Sequence, residues 1–393
     1  MVMSAAATGS PVLVDGARTP IGRLGGALSK LPAVELGSHA VRGALDRCPG
    51  LDPDYIVMGN VLQAGNSQNP GRRAALLGGV AREVPGTTLN DVCLSSMSAV
   101  ALAASMVRER EAGSVLVGGF DSMSRAPHAL HVRGESAKVG DAQLIDLMVR
   151  DGLWCAISDV GMGELSDREN SRLEISRAAQ DALALRSHQR AAAATESGRL
   201  AEEIVPVAVN GAEVVADEGI RADSTLERLA GLPPAFGETG TITAGNASQL
   251  SDGASAGVVT SSERAREAGL RALAEIVGRA VVAGPDSTLH LRPAEAARRL
   301  LDRHGLAPAD IDLWEINEAF AGVAVASVDA LGIDPERVNV NGGAVALGHP
   351  LAASGFRLLL TLAYELRAQG RELGVATMCG GGGQGEALLL RAA

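Results

Sequence analysis

The sequence predicts an α/β protein built from two similar halves, and two observations support this prediction. Short apolar segments alternate with longer helical segments, which is typical of strands and helices arranged around a parallel or mixed sheet. Each half also contains the same series of elements: a strand, a turn with a reactive side chain, a long helix, a strand and glycines. The 393 residues are enough for two or three domains.

In the first half, predicted strands and helices alternate with little interruption. They are a strand at 11–16, a helix at 32–47, a strand at 55–59, a helix at 70–80, a strand at 86–92, a helix at 97–109 and a strand at 114–118. Pro32 lies near the start of the first helix, where proline is favoured. Cys93 lies in the turn between the third strand and the third helix.

The second half repeats this arrangement. Its elements are a helix at 293–304, a strand at 311–315, a helix at 318–331, a strand at 338–341, a helix at 352–368 and a strand at 373–378. His349 lies in the glycine-rich turn before the last helix, and Cys379 follows the last strand. We interpret the two halves as a duplicated unit.

The segment between the halves interrupts the alternation. Residues 121–250 contain polar and glycine-rich loops, few strands and one clear helix at 174–198, and we expect this insertion to cover a site. The predicted division is therefore an N-terminal α/β half at 1–120 completed by 251–273, an inserted loop domain at 121–250, and a C-terminal α/β half at 274–393.

Composition excludes several functions. The formal charge is −11 and no basic block is present, which argues against nucleic acid as a partner. No apolar run reaches the roughly 18 residues of a membrane helix. The first ten residues lack a cationic segment followed by an apolar one, so we expect a cytoplasmic protein. Aromatic residues make up only 2% of the chain, so the core must consist mainly of small aliphatic side chains and close glycine contacts.

The four cysteines, at positions 48, 93, 155 and 379, show no short paired spacing, which indicates free thiols in a reducing compartment. Cys93 is a candidate nucleophile because small residues surround it at a strand-to-helix turn, where backbone N–H groups and the helix dipole favour a thiolate. The alternative is a buried structural cysteine. Cys48 and Cys155 have no reactive neighbours in the sequence, and we expect no catalytic role for them.

His349 lies between Gly348 and Pro350, a turn that constrains its backbone, although a histidine without a role at a helix start fits the same pattern. Glycines 380, 382 and 385 match the dinucleotide-binding pattern, but the chain ends too soon for a βαβ unit. We therefore interpret this run as a glycine turn whose backbone can approach a ligand closely and expose N–H groups, as an oxyanion hole requires.

Three further segments have two possible readings. Asn317 follows a predicted strand end and could act in a site or simply cap a helix. The small-residue loop at 243–248 could bind a ligand or form an ordinary turn. His128 and His131 are three residues apart but have no further ligands nearby in the sequence, so no metal is expected.

Taken together, these segments resemble the thiolase family over nearly the whole chain. The similarity includes Ala-Arg-Thr-Pro-Ile-Gly (17–22), the turn of Cys93, Asn-Glu-Ala-Phe-Ala (317–321), Gly-His-Pro (348–350) and the terminal Cys-Gly-Gly-Gly-Gly. Other matching segments lie at 59–65, 68–72, 118–127, 184–191 and 243–248. The N-terminal segments are most similar to the short-chain, acetoacetyl-CoA type.

The resemblance implies a fold and a reaction. The expected thiolase fold stacks two duplicated α/β halves in five αβαβα layers with an inserted loop domain. The expected activity is the reversible Claisen condensation of acyl-CoA thioesters through a cysteine acyl-enzyme. Coenzyme A (CoA) would be a co-substrate rather than a bound cofactor, and the protein would be a homo-oligomer, either a dimer or a dimer of dimers.

The resemblance also implies roles for individual residues. Cys93 would carry the acyl group, His349 would take its proton, and Cys379 would be the second acid or base. Asn317, through a water, and His349 would stabilise the enolate, and the N–H groups of Cys93 and Gly381 would bind the oxyanion. Residues that match CoA-contacting or pocket-wall positions are Ser248, Arg221, Phe236, Ala244, Ala319, Phe320, Leu153 and Met162.

The chain departs from the family pattern at several positions. Ser96 replaces a glycine close to the predicted acyl site, and Ala352 replaces a glycine after Gly-His-Pro. Gly161 replaces a frequent histidine, Gln249 replaces a glycine, and residues 289–292 replace a Met-Gly-rich stretch. The expected activity is that of an acetyl-CoA C-acetyltransferase. Two alternatives stay open: a degradative thiolase of longer or branched 3-ketoacyl-CoA, and a thiolase-like CoA-ester-binding protein of low activity. A decarboxylating ketosynthase is disfavoured because Cys379 stands where that class has a histidine.

Overall fold

The computed structural model describes residues 9–131 and 141–393. The expectation about the N-terminal ten residues therefore lies largely outside the described residues, and so does the 132–140 portion of the predicted insertion. Within the described ranges, the chain forms the mixed α/β architecture that the alternation predicts.

The first half forms a five-stranded sheet with helices on both faces. Its elements are β1 (Pro11–Arg18), β2 (Gly22–Arg23), α1 (Ala33–Arg47), β3 (Tyr55–Gly59), α2 (Pro70–Gly78), β4 (Gly86–Leu89), α3 (Ser95–Arg108) and β5 (Ser114–Ser122), followed after the insertion by β12 (Ser251–Ser261) and α7 (Ser262–Glu267). The strand order is β4-β3-β5-β12-β1, with the short β2 paired to β12. Strands β4, β3 and β5 are parallel, and β12 is antiparallel to both of its neighbours.

The second half repeats this order. Its elements are β13 (Ala274–Ala283), α8 (Arg292–His304), β14 (Leu313–Ile316), α9 (Ala321–Leu331), α10 (Ala344–Leu347), α11 (Leu351–Gln369), β15 (Leu373–Gly380) and β16 (Gln384–Ala392). The order β14-β15-β16-β13 corresponds to β3-β5-β12-β1, with the same parallel and antiparallel pairs. The short antiparallel pairing of β1 with β13 joins the two halves into one sheet.

The predicted strand at 338–341 is wrong. Only a single parallel bridge between Val338 and Trp314 marks the place of β4 in the second half. Asn339 has a left-handed φ of 48°, which ends any extended run. Its side-chain amide instead accepts from Ile316 N and donates to Ile316 O, both at 2.8 Å. The side chain thus makes the two hydrogen bonds that a neighbouring strand would make.

The layers follow from the alternation of side chains along the strands. In β3, Val57 lies in the central core with α3 and α11, whereas Ile56 and Met58 lie in the outer core with α1. In the second half, Met378 lies in the central core, and Val375 faces the outer helices α8 and α9. The result is the five-layer αβαβα arrangement, with α3 and α11 forming the middle layer.

Glycines allow the central layer to pack closely. A Cβ at Gly355 of α11 would lie 2.6 Å from Met97 N of α3, and a Cβ at Gly257 of β12 would lie 2.3 Å from the Phe356 ring. Helix α11 is buried along most of its length but carries Arg357, Glu365 and Arg367. Among the described helices, none combines the length and apolar character required to cross a membrane.

The middle segment contains more regular structure than its sequence indicates. Its elements are β6 (His128–Ala129), β7 (Ile145–Asp146), β8 (Trp154–Cys155), β9 (Val160–Gly161), α4 (Met162–Arg172), α5 (Arg177–Glu196), β10 (Val207–Val209), β11 (Ala212–Val214) and α6 (Leu226–Ala230). Its strands form two-stranded ribbons, and α5 corresponds to the helix predicted at 174–198. The domain boundaries at 120, 250 and 273 stay a prediction.

Candidate active site

Cys93 lies in a strained turn between β4 and α3. The preceding Val92 has a φ of 50°, a left-handed conformation that is rare for a β-branched residue. Ser95, the first residue of α3, stabilises the turn because its hydroxyl donates to Val92 O at 2.6 Å and accepts from Asp91 N at 2.9 Å. The predicted strand at 86–92 therefore ends at Leu89, and the helix begins two residues after Cys93.

His349 lies in the corresponding turn of the second half, between α10 and α11. Its backbone N–H lies 3.1 Å from Ser251 Oγ and 3.3 Å from Gln249 O, so the start of β12 holds the turn. Gly348 has a φ of 110°, and a Cβ there would lie 2.4 Å from Ser251 Oγ. A glycine is therefore required before the histidine.

The hydrogen bonds of His349 define its tautomer. Nδ1 lies 2.6 Å from Ser354 Oγ, and the Ser354 hydroxyl donates its single proton to Pro350 O at 3.0 Å. Nδ1 must then carry the imidazole proton and donate it to Ser354. Nε2 is consequently unprotonated and lies 3.4 Å from the amide Nδ2 of Asn317. This arrangement leaves Nε2 as the basic atom of the site.

Cys379 is the last buried side chain of β15 before a glycine turn. Gly382 and Gly383 have φ values of 79° and 78°, which place them in the left-handed region, and they reverse the chain into β16. A Cβ at Gly383 would lie 2.0 Å from Asp286 O, so no other residue fits there. The turn directs the backbone N–H of Gly381 toward the sulfur of Cys93.

A single pocket of about 450 Å³, partly open to solvent, contains most of the predicted site. The predicted residues that line it are Cys93, His349, Cys379, Gly381, Ser248, Leu153, Met162, Ala319 and Phe320. The turns of both halves and the inserted segment all contribute to its wall. The duplicated topology thus brings the first-half nucleophile candidate next to the second-half histidine and cysteine.

The two thiols of the pocket are protonated at neutral pH. Burial raises the pKa of Cys93 to about 12, and the N–H groups of Gly381 and of Cys93 itself only partly offset this effect. Burial raises the pKa of Cys379 further, with the nearby Cys93 adding to the shift. The backbone N–H groups favour a thiolate at Cys93, as the sequence indicates, but desolvation outweighs them.

The imidazole of His349 is neutral. Burial, and to a smaller extent the positive charge of Arg357, lowers the pKa of His349 to about 3. Arg357 lies on α11 and forms a fully buried ion pair with Glu315 of β14, Nη1 to Oε2 at 2.9 Å. A neutral base beside a protonated thiol is the combination that proton abstraction requires.

Asn317 lies beside Nε2 of His349 and does not line the pocket. Its backbone N–H donates to Thr377 O at 3.1 Å, which fixes it at the end of β14. Its Oδ1 is buried and has no hydrogen-bond partner within residues 9–131 and 141–393. A buried polar atom of this kind generally has a ligand or water as its partner.

Ser248 and Phe320 connect the inserted segment to the second half. The hydroxyl and backbone N–H of Ser248 both lie near Ala319 O, at 2.8 and 3.1 Å. The Phe320 ring contacts the Phe236 ring edge-on, with centroids 6.3 Å apart. Phe236 therefore extends the wall of the pocket outward, although it does not line the pocket itself.

Three of the predicted contact residues lie outside the pocket. Phe236 is 44% exposed, and Arg221 and Ala244 are also exposed. The backbone N–H of Arg221 donates to His188 Nδ1 at 3.2 Å, which fixes the loop that carries it. The side chain of Arg221 is thus a solvent-accessible cation beyond the acyl site.

The departures from the family pattern at positions 96, 161 and 352 do not line the pocket. Ser96 is fully buried and its hydroxyl accepts from Phe356 N at 2.8 Å, so it joins α3 to α11 and does not narrow the pocket. Ala352 is buried against Val61, Leu62 and Met123. A Cβ at Gly161 would meet no atom of the described residues within 4 Å, so the space beside Met162 is open.

Several pocket residues were not identified from the sequence. Val92, Gly152 and Leu351 line the pocket, and Ser354 contacts the imidazole. Leu289, one of the departures from the family pattern, and Gly380, in the predicted glycine turn, line it as well, and Leu289 packs with Cys379, Ala319 and Val323. A signal existed for Ser354, because it lies about one helical turn after His349, where a side chain can return to the helix start.

The arrangement suits acyl transfer rather than metal chemistry. Two thiols, a neutral imidazole and a backbone N–H group converge on one apolar pocket. Across the described ranges, no three histidine, cysteine or acidic side chains form a cluster that could hold a metal ion. Cys48 and Cys155 are buried elsewhere.

Two family models match the chain. The thiolase N-terminal domain matches residues 11–263, and the thiolase C-terminal domain matches residues 270–392. The boundary between the two models falls between β12 and β13, where the first half of the topology ends and the second begins.

Similar proteins and a solved structure agree with these matches. The chain is 49% identical to the probable acetyl-CoA acetyltransferase of Mycobacterium tuberculosis, covering 97% of this chain and 99% of that protein. It is 44% identical to the acetyl-CoA acetyltransferase of Escherichia coli, covering 96% and 98%. The crystal structure of the Bacillus anthracis acetyl-CoA acetyltransferase superposes with a TM-score of 0.94 at 38% identity, covering 99% and 100%.

Proposed function

This chain belongs to the thiolase family, and we propose that it acts as an acetyl-CoA C-acetyltransferase. The reaction is the reversible condensation of two acetyl-CoA molecules to acetoacetyl-CoA and CoA, with thiolysis as the reverse. The observation that carries the proposal is the convergence of Cys93, His349, Cys379 and the N–H of Gly381 on one pocket. The relatives' names support acetyl-CoA as the acyl donor.

In the thiolysis direction, the first step breaks the carbon–carbon bond. His349 Nε2 takes the proton of the Cys93 thiol, and the sulfur attacks the 3-keto carbonyl of acetoacetyl-CoA. The bond between C2 and C3 then breaks, leaving an acetyl group on Cys93 and the enolate of acetyl-CoA. The thiol of Cys379 donates its proton to C2 of that enolate, which releases acetyl-CoA.

The second step restores the enzyme. The thiolate of Cys379 takes the thiol proton of CoA, and the CoA sulfur attacks the acetyl group on Cys93. The carbon–sulfur bond to Cys93 breaks, and its thiolate recovers the proton held by His349. Protons and leaving groups balance, and no further reactant is required. Because Cys379 rests as a thiol, it is prepared to act as the acid of the first step.

Backbone and side-chain donors stabilise the charges that form. The N–H groups of Gly381 and Cys93 face the Cys93 sulfur and would bind the oxygen of the tetrahedral intermediate. One such donor is worth roughly 3 kcal/mol in comparable enzymes. Asn317, through a water bound to its side chain, and His349 would hold the enolate oxygen.

The outer residues would bind the CoA moiety. Ser248, Ala319 and Phe320 line the pocket and would contact the pantetheine arm. Phe236 and Ala244 lie further out, and Arg221 offers an exposed cation to the CoA phosphates. The overall charge of −11 repels a polyanion, so this local cation is needed. We further propose a cytoplasmic homo-oligomer, either a dimer or a tetramer, that binds CoA only as a co-substrate.

A second function is favoured by one specific observation. The apolar wall formed by Leu153, Met162 and Leu289 suits an acyl group larger than acetyl. This geometry supports a degradative thiolase of longer or branched 3-ketoacyl-CoA. A CoA-ester-binding protein of low activity is less favoured, because Ser96 does not obstruct the pocket.

The test is thiolysis of acetoacetyl-CoA by free CoA, followed as loss of the substrate. We expect turnover by the wild type and loss of turnover in Cys379→Ser, with Cys48→Ser as the matched control because Cys48 is a buried free thiol outside the site. A higher kcat/KM for longer 3-ketoacyl-CoA would favour the degradative function. A folded wild type that turns over neither substrate would contradict both.

A further inference from the structure

Gln249 lies between two loops of the proposed site, and its side chain contacts both. Nε2 donates to Gly219 O at 2.9 Å and lies 3.5 Å from Ala346 O. Gly219 belongs to the loop that leads to Arg221, whereas Ala346 lies in α10, directly before the turn of His349.

The contact to Gly219 is close. A Cβ at Gly219 would lie 2.6 Å from Ala346 O and 2.7 Å from Gln249 Nε2, so the loop backbone packs directly on these two groups. At its two ends, the loop is fixed by other partners. Asp217 forms a buried ion pair with Arg18, and Arg221 N donates to His188. Between them, Glu218 N donates to Ile21 O and its carboxylate accepts from Arg23, and Gln249 contacts Gly219.

The backbone of Gln249 contributes to the catalytic turn independently of its side chain. Its carbonyl oxygen lies 3.3 Å from His349 N and accepts the Ser251 hydroxyl at 2.6 Å. Any substitution at 249 other than proline keeps this backbone. The side-chain contacts can therefore be removed while the support of His349 is retained.

We propose that Gln249 is a positioning residue that couples the Arg221 loop to the His349 turn and thereby sets the affinity for the nucleotide end of CoA. The inference rests on the proposed function, because it takes CoA as the ligand of Arg221. The phosphates of CoA form charge-assisted hydrogen bonds with a guanidinium. Pantetheine carries the same thiol without the nucleotide and its phosphates, so it does not need the loop.

The experiment compares two thiols as the acceptor in thiolysis of acetoacetyl-CoA. Gln249→Met keeps the side-chain length and removes the donors, and Gln249→Gly removes the side chain. The matched control is Gln369→Met, because Gln369 Nε2 donates to Glu365 at the exposed end of α11. One neutral hydrogen bond corresponds to roughly a two- to tenfold effect, so KM for CoA should rise by about that factor.

The proposal also requires specificity in that effect. kcat with CoA and KM for pantetheine should stay at the wild-type values in both variants at position 249. An unchanged KM for CoA in these variants, or an equal rise of KM for pantetheine, would overturn the coupling. A purely structural role would instead lower the melting temperature without separating the two thiols.

A measurement without turnover separates this inference from the proposed function. Hydrogen exchange of the amides at 219–221 should be faster in Gln249→Met than in the wild type and in Gln369→Met. A wild type that exchanges as expected but does not cleave acetoacetyl-CoA would contradict the proposed function alone. An active wild type whose variants match it in amide exchange and in KM would contradict the coupling alone.

Discussion

The tautomer of His349 depends on one hydroxyl, and replacing Ser354 by alanine tests this dependence. Ser354 Oγ accepts the Nδ1 proton at 2.6 Å and is itself oriented by Pro350 O. In Ser354→Ala the Nδ1–H loses this acceptor in a buried environment. The proton can then move to Nε2, where it blocks the atom that must receive the Cys93 proton.

The size of the effect follows from the charge that develops. When Nε2 takes a proton, the ring becomes an imidazolium, and its bond to Ser354 becomes a charge-assisted one. Hydrogen bonds to charged groups contribute about 1.5–3 kcal/mol. At 1.36 kcal/mol per factor of ten, the loss corresponds to a decrease in kcat of about 10- to 150-fold. KM for acetoacetyl-CoA should change little, because Ser354 does not line the pocket.

The assay is kcat for thiolysis of acetoacetyl-CoA at saturating CoA, with the melting temperature measured beside it. Ser255→Ala is the matched control, because the buried Ser255 hydroxyl also bonds α11, donating to Ala353 O at 2.6 Å without touching His349. It should lose comparable stability and keep its kcat. If Ser354→Ala keeps the wild-type kcat, or if both variants lose it equally, the assignment of the tautomer is refuted.

Three further predictions concern the surroundings of the site. Ser96→Gly should lower the free energy of unfolding in urea by about 1–2 kcal/mol, because it removes one hydrogen bond and places a glycine in a helix. The ratio of kcat/KM for long and short 3-ketoacyl-CoA substrates should stay constant. A changed ratio would place Ser96 in the pocket. Arg357→Met leaves Glu315 buried without its partner and should lower the free energy of unfolding in urea by about 3–5 kcal/mol. The double variant Arg357→Met/Glu315→Met should regain most of this stability. An equal loss of stability in the single and the double variant would argue against the ion pair. Since the pKa of His349 is lowered to about 3 from an ordinary 6.5, the neutral base form persists from about pH 5 upward. The rate of acylation by acetyl-CoA, measured by stopped flow, should therefore not fall as the pH is lowered through 6.5. A fall in this rate near pH 6.5 would contradict the neutral imidazole.

The sequence predicted the parts of the site that depend on local chain chemistry. Cys93, His349 and Cys379 each lie in a turn rich in small residues, and such turns are visible in a single sequence. The alternating elements also predicted the two halves, whereas the five layers were implied by the resemblance to the thiolase family. Helix bounds for α1 and α11 agree within one residue with the predicted 32–47 and 352–368.

The parts that depend on distant contacts could not be predicted in the same way. β12 consists largely of Ser, Gly and Ala, which have low strand propensity, and it forms because neighbouring strands pair with it on both sides. The side chain of Asn339 makes the hydrogen bonds to the backbone of Ile316 that a neighbouring strand would make. This contact depends on a residue 23 positions away and is not visible in the local sequence. The raised pKa of Cys93 likewise results from burial by other segments, whereas the sequence showed only the favourable helix start.

The most direct test of the central claim is the intact mass of the protein after incubation with acetyl-CoA, followed by the mass of the modified peptide. The account predicts one added acetyl group on the peptide that contains Cys93, in the wild type and in Cys379→Ser, and none in Cys93→Ala. An acetyl group on another residue, or equal acetylation of Cys93→Ala, would contradict the assignment of Cys93 as the nucleophile.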